Sequence, residues 1–296
     1  MLPSRAAIVA TAGESIARGS KSFGAASQLF DRATRERAWL LYAWCRACDD
    51  LADGQDHGHD MRVVDDPQAR LATIRALTAA ALAGQWIGNA AFDALRIVVA
   101  EAGIPHKLVW DVVEGFALDA EGWQPETEDD LYGYCYHVAG AVGCMMAVVM
   151  GVSPEDQAVL DRACDLGIAF QLGNIARDLG EDDANGRCYL PAAWRDEPRA
   201  DVAARLAERA AAYGASGRAG TPALGFRSAW AVLAAAGIYG DIARKVAERG
   251  DAAWDKRVST SLVEKIGWIG RAFGQAAGRK TRLPPTPRDG LWTRPR

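Results

Sequence analysis

The segment QLGNIARDLGEDD, residues 171–183, places its polar side chains in a helical rhythm. At about 100° per residue, Gln171, Asn174, Asp178 and Asp182 share one stripe about 80° wide. Leu166, Ile168, Phe170, Leu172 and Ile175 take up much of the remaining circumference. A helix that is apolar on most sides is buried, and its polar stripe needs partners inside the protein. A second such segment lies nearer the N-terminus. In LYAWCRACDDLAD, residues 41–53, the residues Tyr42, Arg46, Asp49 and Asp53 again fall in one stripe, with Asp50 on its edge.

The rest of the chain follows the same period. Alanine and leucine are abundant, apolar residues recur at three-to-four spacing, and no set of alternating strands is found. The spacing predicts helices over roughly 32–53, 67–83, 89–102, 105–120, 128–150, 154–181, 200–213, 226–249 and 260–278. Ser153, followed by Pro154, Glu155 and Asp156, is the expected N-cap of the acidic helix. Pro105 opens another helix, and Gly103, Gly151 and Gly250 stand where helices stop. Residues 54–66 and 183–199 read as irregular. No repeat or linker divides the chain, so an all-α single domain over 1–281 is expected, with an irregular tail over 282–296.

Composition narrows the function. Half of the 296 residues are apolar, 24% are charged and the net charge is −4, which excludes a nucleic-acid footprint and an acidic disordered chain. Cys45 and Cys48 form a C-x-x-C pair with no second pair at zinc-finger spacing, so the six cysteines read as free thiols in a reducing compartment. No apolar run reaches the roughly 18–20 residues that span a bilayer, and the patch at Ala6–Ala10 is too short for a signal sequence. A cytoplasmic protein is expected. Contact with anionic lipid is assigned to the basic tail, Lys280, Arg282, Arg288 and Arg294.

The chemistry lies in the two acidic helix ends. Acids at a helix C-terminus oppose the macrodipole by a few tenths of a kcal/mol each, which calls for a compensating cation. Mg²⁺ suits paired D-x-x-x-D carboxylates, with Mn²⁺ as the alternative. Two such pairs flanked by Arg46 and Arg177 form a clamp for a metal diphosphate. There is no P-loop and no dinucleotide fingerprint. Ser20, Lys21, Ser22 and Phe23 read as a loop that could hold phosphate, and Arg187 as a further phosphate donor. Tyr132, Tyr134, Tyr136 and His137 precede the small-residue run from Val138 to Gly143, read either as close helix packing or as a tunnel wall. His137 is expected to satisfy a local hydrogen bond.

The strings SKSF (20–23), LYAWCRACDDLAD (41–53), YCYHVAGAVG (134–143), QLGNIARDLGEDDANGRCYLP (171–191) and RSAWAV (227–232) resemble the squalene/phytoene synthase family. The resemblance extends through Tyr239, Trp254, Arg257 and Ser259. It implies an isoprenoid synthase helical bundle with a central active-site cavity. It also implies a prenyl transferase that condenses two geranylgeranyl diphosphates head to head, through prephytoene diphosphate, to phytoene. By the same resemblance Asp49, Asp53, Asp178 and Asp182, with Asn174, hold Mg²⁺. Ser20, Lys21, Ser22, Arg46, Gln171, Asn174, Arg177 and Arg187 surround the diphosphates or the lid, Phe23 and Val138 meet the substrate, and Tyr42 and Tyr239 lie near the reacting carbons. No NADPH is expected, and a carotenoid desaturase is the implied downstream partner. Gly173 and Gly180 depart from the pattern, where bulkier residues are expected, and the segment 195–224 looks short. The alternatives are a dehydrosqualene or squalene synthase using farnesyl diphosphate, and a non-catalytic helical binding or assembly protein.

Overall fold

The computed structural model describes residues 2–53, 66–282 and 287–296, without the side chains of Lys21, Ser22, Asp53 and Arg282. Among the described residues there are twelve α-helices, joined by 3₁₀ and π turns, and no strand. They are α1 (Arg5–Gly19), α2 (Lys21–Ser27), α3 (Arg32–Asp53), α4 (Pro67–Leu82), α5 (Ala90–Ala102), α6 (His106–Ala120), α7 (Glu128–Cys135), α8 (Ala141–Val149), α9 (Gln157–Ala184), α10 (Arg199–Ala219), α11 (Phe226–Arg249) and α12 (Leu262–Arg282). The expected all-α bundle is the observed architecture. The irregular reading of 54–66 falls almost wholly outside the described residues.

Three differences from the expected elements have local causes. Residues 5–27 form two helices. Ser20 caps α2, its hydroxyl accepting from Phe23 N at 3.2 Å, so SKSF is a helix start rather than a plain loop. The expected helix over 128–150 is interrupted by a π-turn at Tyr136–Gly140. The N-cap of α9 is Asp156, which accepts from Val159 N at 3.2 Å, while Ser153 to Asp156 close a separate turn. Gly103 ends α5 in the left-handed region, φ 70°, where a side chain would be strained.

Helix α9 is the hub. It packs on α8, α10, α11 and the π-turn, while α3 is held by α1 and α5, and α12 lies on the far side of α11. Small residues let α9 approach its neighbours backbone to backbone. A Cβ at Gly167 would stand 2.4 Å from Ala139 O, and one at Gly143 would stand 2.4 Å from Ala163 O. Gly180 and Gly173 differ: an added Cβ would meet Trp254 at 3.5 Å or Ala243 at 3.4 Å, ordinary packing contact. The stretch Glu128–Val149 is apolar enough to cross a bilayer by composition, but 61% of its apolar window is buried inside the protein, as in a core helix.

Arg282, expected in the irregular tail, is the last residue of α12, while residues 287–296 have no helix or strand and are tied down. Arg288 donates to both carboxylate oxygens of Asp165, Nε to Oδ2 at 2.7 Å and Nη2 to Oδ1 at 2.8 Å. Arg294 Nε reaches Asp161 Oδ1 at 2.9 Å, and Arg296 grips Asp161 at 2.7 and 2.8 Å. Trp292 N donates to Tyr213 Oη at 3.0 Å. The lipid role expected for Arg288 and Arg294 is therefore corrected, because both guanidiniums are spent on carboxylates of α9. The side chain of Arg282 lies outside the described residues.

Candidate active site

One wall of a cavity of about 660 Å³ is α9, and its character changes along its length. Val159, Ala163, Leu166, Gly167 and Phe170 come first, then Gln171, Asn174, Arg177, Asp178 and Asp182. From Val159 to Asp182 this face runs about 35 Å at 1.5 Å per residue. Helix α3 contributes Tyr42, Arg46 and Asp49 to the same cavity, α11 contributes Tyr239, and Arg187 follows α9. The two acidic helix ends that are far apart in the chain thus share one chamber. Ser20, Phe23 and Val138 also line it, Val138 from within the π-turn. The expected Lys21, Ser22 and Asp53 side chains lie outside the described residues.

Asp49 and Asp178 are each matched by an arginine. Arg46 Nη2 bonds Asp49 Oδ2, and its Nε stands 3.6 Å from Asp50 Oδ1. That Nε is buried and makes no hydrogen bond within the normal distance. Arg177 Nε donates to Asp178 Oδ1 at 2.8 Å, and Arg257 Nη2 meets Asp178 Oδ2 at 3.1 Å. Arg257 also bonds Glu181 Oε2 at 2.9 Å, which ties the segment before α12 to the end of α9. Among the described residues no three acid, histidine or cysteine side chains converge as a metal-binding group.

Asp182 is the electrostatic outlier. Burial, then the neighbouring Asp178, pushes its carboxyl up to about 7 from 3.8, while Arg187 pulls the other way and Glu181 and Asp119 add to the rise. A carboxyl held up by burial and nearby carboxylates lacks positive charge, and this donor set suits a hard divalent cation. Because the folded value is raised, the folded state favours the protonated form. Metal-free protein should therefore lose stability as pH rises from about 4 to about 7 and lose no more from this group above that. Thermal midpoints of chelator-treated wild type and Asp182→Asn, followed from pH 5 to pH 8, should diverge, with the wild type falling further.

The tyrosines frame the same chamber. Tyr42 is pushed up to about 12, chiefly by burial, and its ring lies 5.7 Å from that of Phe23. Gly19 gives it room, since a Cβ there would stand 2.4 Å from Tyr42 Oη. Tyr239 stacks on Phe170 at 4.5 Å and is raised by burial. Both hydroxyls are neutral donors near neutral pH. His137 Nδ1 lies 2.8 Å from Asp111 O, the local hydrogen bond expected of it. The cysteines are all free, and five of the six lie on helices.

Asp119 is a cavity residue that the sequence reading passes over. Tyr134 and Tyr189 donate to its Oδ1 at 3.0 and 3.1 Å, and their rings stack at 4.8 Å. The signal was present: Asp119 is another acid at the C-terminal end of an apolar helix, α6.

A family model described as squalene/phytoene synthase matches residues 16–264. A protein named phytoene synthase from Pseudescherichia vulneris is 45% identical over 300 residues, covering 95% of this chain and 96% of its own. A 15-cis-phytoene synthase from a Paracoccus species is 45% identical, covering 97% and 98%. Among solved structures, a dehydrosqualene synthase in complex with ligand superposes with a TM-score of 0.81 at 27% identity, over 93% of this chain and 98% of that one. A squalene synthase from Alicyclobacillus acidocaldarius shares the fold, with a TM-score of 0.71 at 22% identity over 82% and 94%.

Proposed function

The chain belongs to the squalene/phytoene synthase family, and from that membership we propose that it condenses two geranylgeranyl diphosphates head to head to phytoene. The observation that carries this reading is the shared chamber: Asp49, Asp178, Asp182, Arg46, Arg177 and Arg187 at one end, apolar side chains at the other. Asp49, Asp178 and Asp182, with Asn174 and Asp53, would hold Mg²⁺, or Mn²⁺ in its place. Such an ion, when bound, neutralises charge on a leaving diphosphate.

The chain's own groups supply the rest. Arg46, Arg177 and Arg187 grip diphosphate oxygens, and the orphan Nε of Arg46 gains an acceptor. In the first half-reaction the C1–O bond of one substrate breaks and its electron pair leaves with diphosphate. The double bond of the second substrate attacks that carbon, a proton is lost, and a cyclopropyl diphosphate forms. In the second half-reaction this intermediate ionises, rearranges and loses a proton, so no NADPH is consumed. Cationic carbon needs a dry chamber and aromatic faces. Phe23, Phe170, Tyr42 and Tyr239 provide these. The reading implies a cytoplasmic enzyme whose hydrocarbon product passes to a desaturase.

Farnesyl diphosphate is the competing substrate, favoured by the likeness to the dehydrosqualene synthase at 27% identity. The relatives named phytoene synthase, at 45%, weigh more. Incubation with each diphosphate and Mg²⁺, then chromatography of the extracted hydrocarbon, separates the two. A forty-carbon hydrocarbon lost on chelation is expected. A dominant thirty-carbon product would overturn the assignment.

A further inference from the structure

Helix α12 buries Ala272 and Ala276 and turns a different face outward. Val263 is 79% exposed, Leu262 74%, Ile266 61% and Phe273 49%. These are four of the six exposed large apolar side chains among the described residues, the others being Leu2 and Trp110. On a helical projection, Leu262, Val263, Ile266 and Phe273 share one outward arc, about 100° wide, with Gly270, Gly274 and Ala277 in or beside it. Phe273 closes the arc with its ring edge-on to Phe226 and Trp230. Scattered exposed apolar residues need no explanation, but a stripe of them over three turns of one helix marks an interaction surface.

The charge on this helix indicates what covers the stripe. Over LVEKIGWIGRAFGQAAGRKTR, residues 262–282, five basic residues face a single acid, in a chain whose net charge is −4. That acid, Glu264, is held by Lys245 at 2.5 Å. Arg271 rests over the Trp268 ring at 4.8 Å, and among the described residues neither it nor Lys280 has a carboxylate partner. Arg218 lies close enough to Arg271 for the two cations to repel. A second copy of the helix would bring like charges together, whereas an anionic lipid surface complements them. An apolar face edged by unmatched cations is the pattern of a helix lying in the headgroup layer, its long basic side chains reaching back to the phosphates.

We infer that the outward face of α12 is a docking surface for an anionic bilayer. Helix α12 also adjoins the apolar part of the cavity, through its inward side. Arg279 of α12 donates to Leu224 O at 3.0 Å, and Leu224 and Thr221 line the chamber. Helix α11, on which α12 packs, supplies Ala231 and Ile238 to the chamber from its other side. The inference stands on α12 alone and does not depend on which diphosphate the chamber takes.

Vesicle flotation of the full chain tests it, using phosphatidylcholine alone and phosphatidylcholine with phosphatidylglycerol. The wild type should float with the anionic vesicles, and Val263→Glu/Ile266→Glu should reduce the bound fraction at least about tenfold. Arg271→Glu should reduce it less, and that difference should vanish in high salt. The double variant should keep its melting temperature and its turnover in detergent, since both side chains point outward. Equal flotation of the double variant would overturn the inference. So would equal flotation of the wild type on neutral vesicles, or a dimer in solution that the double variant dissociates.

Discussion

Asp178→Asn is expected to lower turnover at least about a hundredfold, the scale on which removing one preorganised charge-stabilising group acts. Asp178 joins the two sides of the polar end of the chamber. It receives Arg177 from its own helix and Arg257 from the segment before α12. An amide keeps the shape but carries no charge, so it neither orients both guanidiniums nor contributes to a divalent site. Glu181, which shares Arg257 but sits at the rim, is the control. Glu181→Gln should stay within a few-fold of wild type, as exposed ion pairs contribute little. Steady-state kinetics on the purified variants decide the matter. Turnover within threefold of wild type for Asp178→Asn would remove its charge from the catalytic machinery, whereas a wild type with no turnover on either diphosphate would favour the helical binding-protein reading.

Arg288→Met should cost about 3–5 kcal/mol of stability, the range seen when one partner of a buried ion pair is removed. Asp165 has a fully buried side chain, and its two oxygens depend on Arg288 and on Ser216, whose hydroxyl donates at 2.5 Å. Methionine fills the volume and leaves the carboxylate stranded. At roughly 2–4 °C per kcal/mol for a chain of this size, the melting temperature should fall by about 6–20 °C. Adding Asp165→Asn should recover much of the loss, because a neutral amide is far cheaper to bury. Thermal unfolding of the single and double variants measures both. No loss in the single variant would show that the tail leaves α9 in solution.

How much of this was legible in the sequence depended on amplitude. The span 32–53 for α3 and 226–249 for α11 could be read directly, because long apolar stripes repeat there over several turns. Helix α1 escaped because its buried face is Ile8, Val9, Ala12 and Ile16, and alanine barely marks a stripe. The π-turn leaves no compositional trace, since it adds one residue to a turn without changing the residue types. The acid clusters were legible because charge on an apolar helix is costly and therefore conspicuous. Asp119 carried the same signal but stood alone, without a second acid four residues away. The destination of the tail arginines was not readable: their partners, Asp161 and Asp165, lie more than a hundred residues earlier, and only the fold brings them together.

The graded wall of α9 has a geometric consequence. A guest with one anionic end and a long hydrocarbon tail fits such a chamber in a single orientation, since the reverse would bury its charge among Val159, Leu166 and Phe170. Two guests admitted together must lie abreast, with their first carbons in registry. The amino-acid gradient along one rod thereby fixes which end of a guest reaches the arginines and carboxylates.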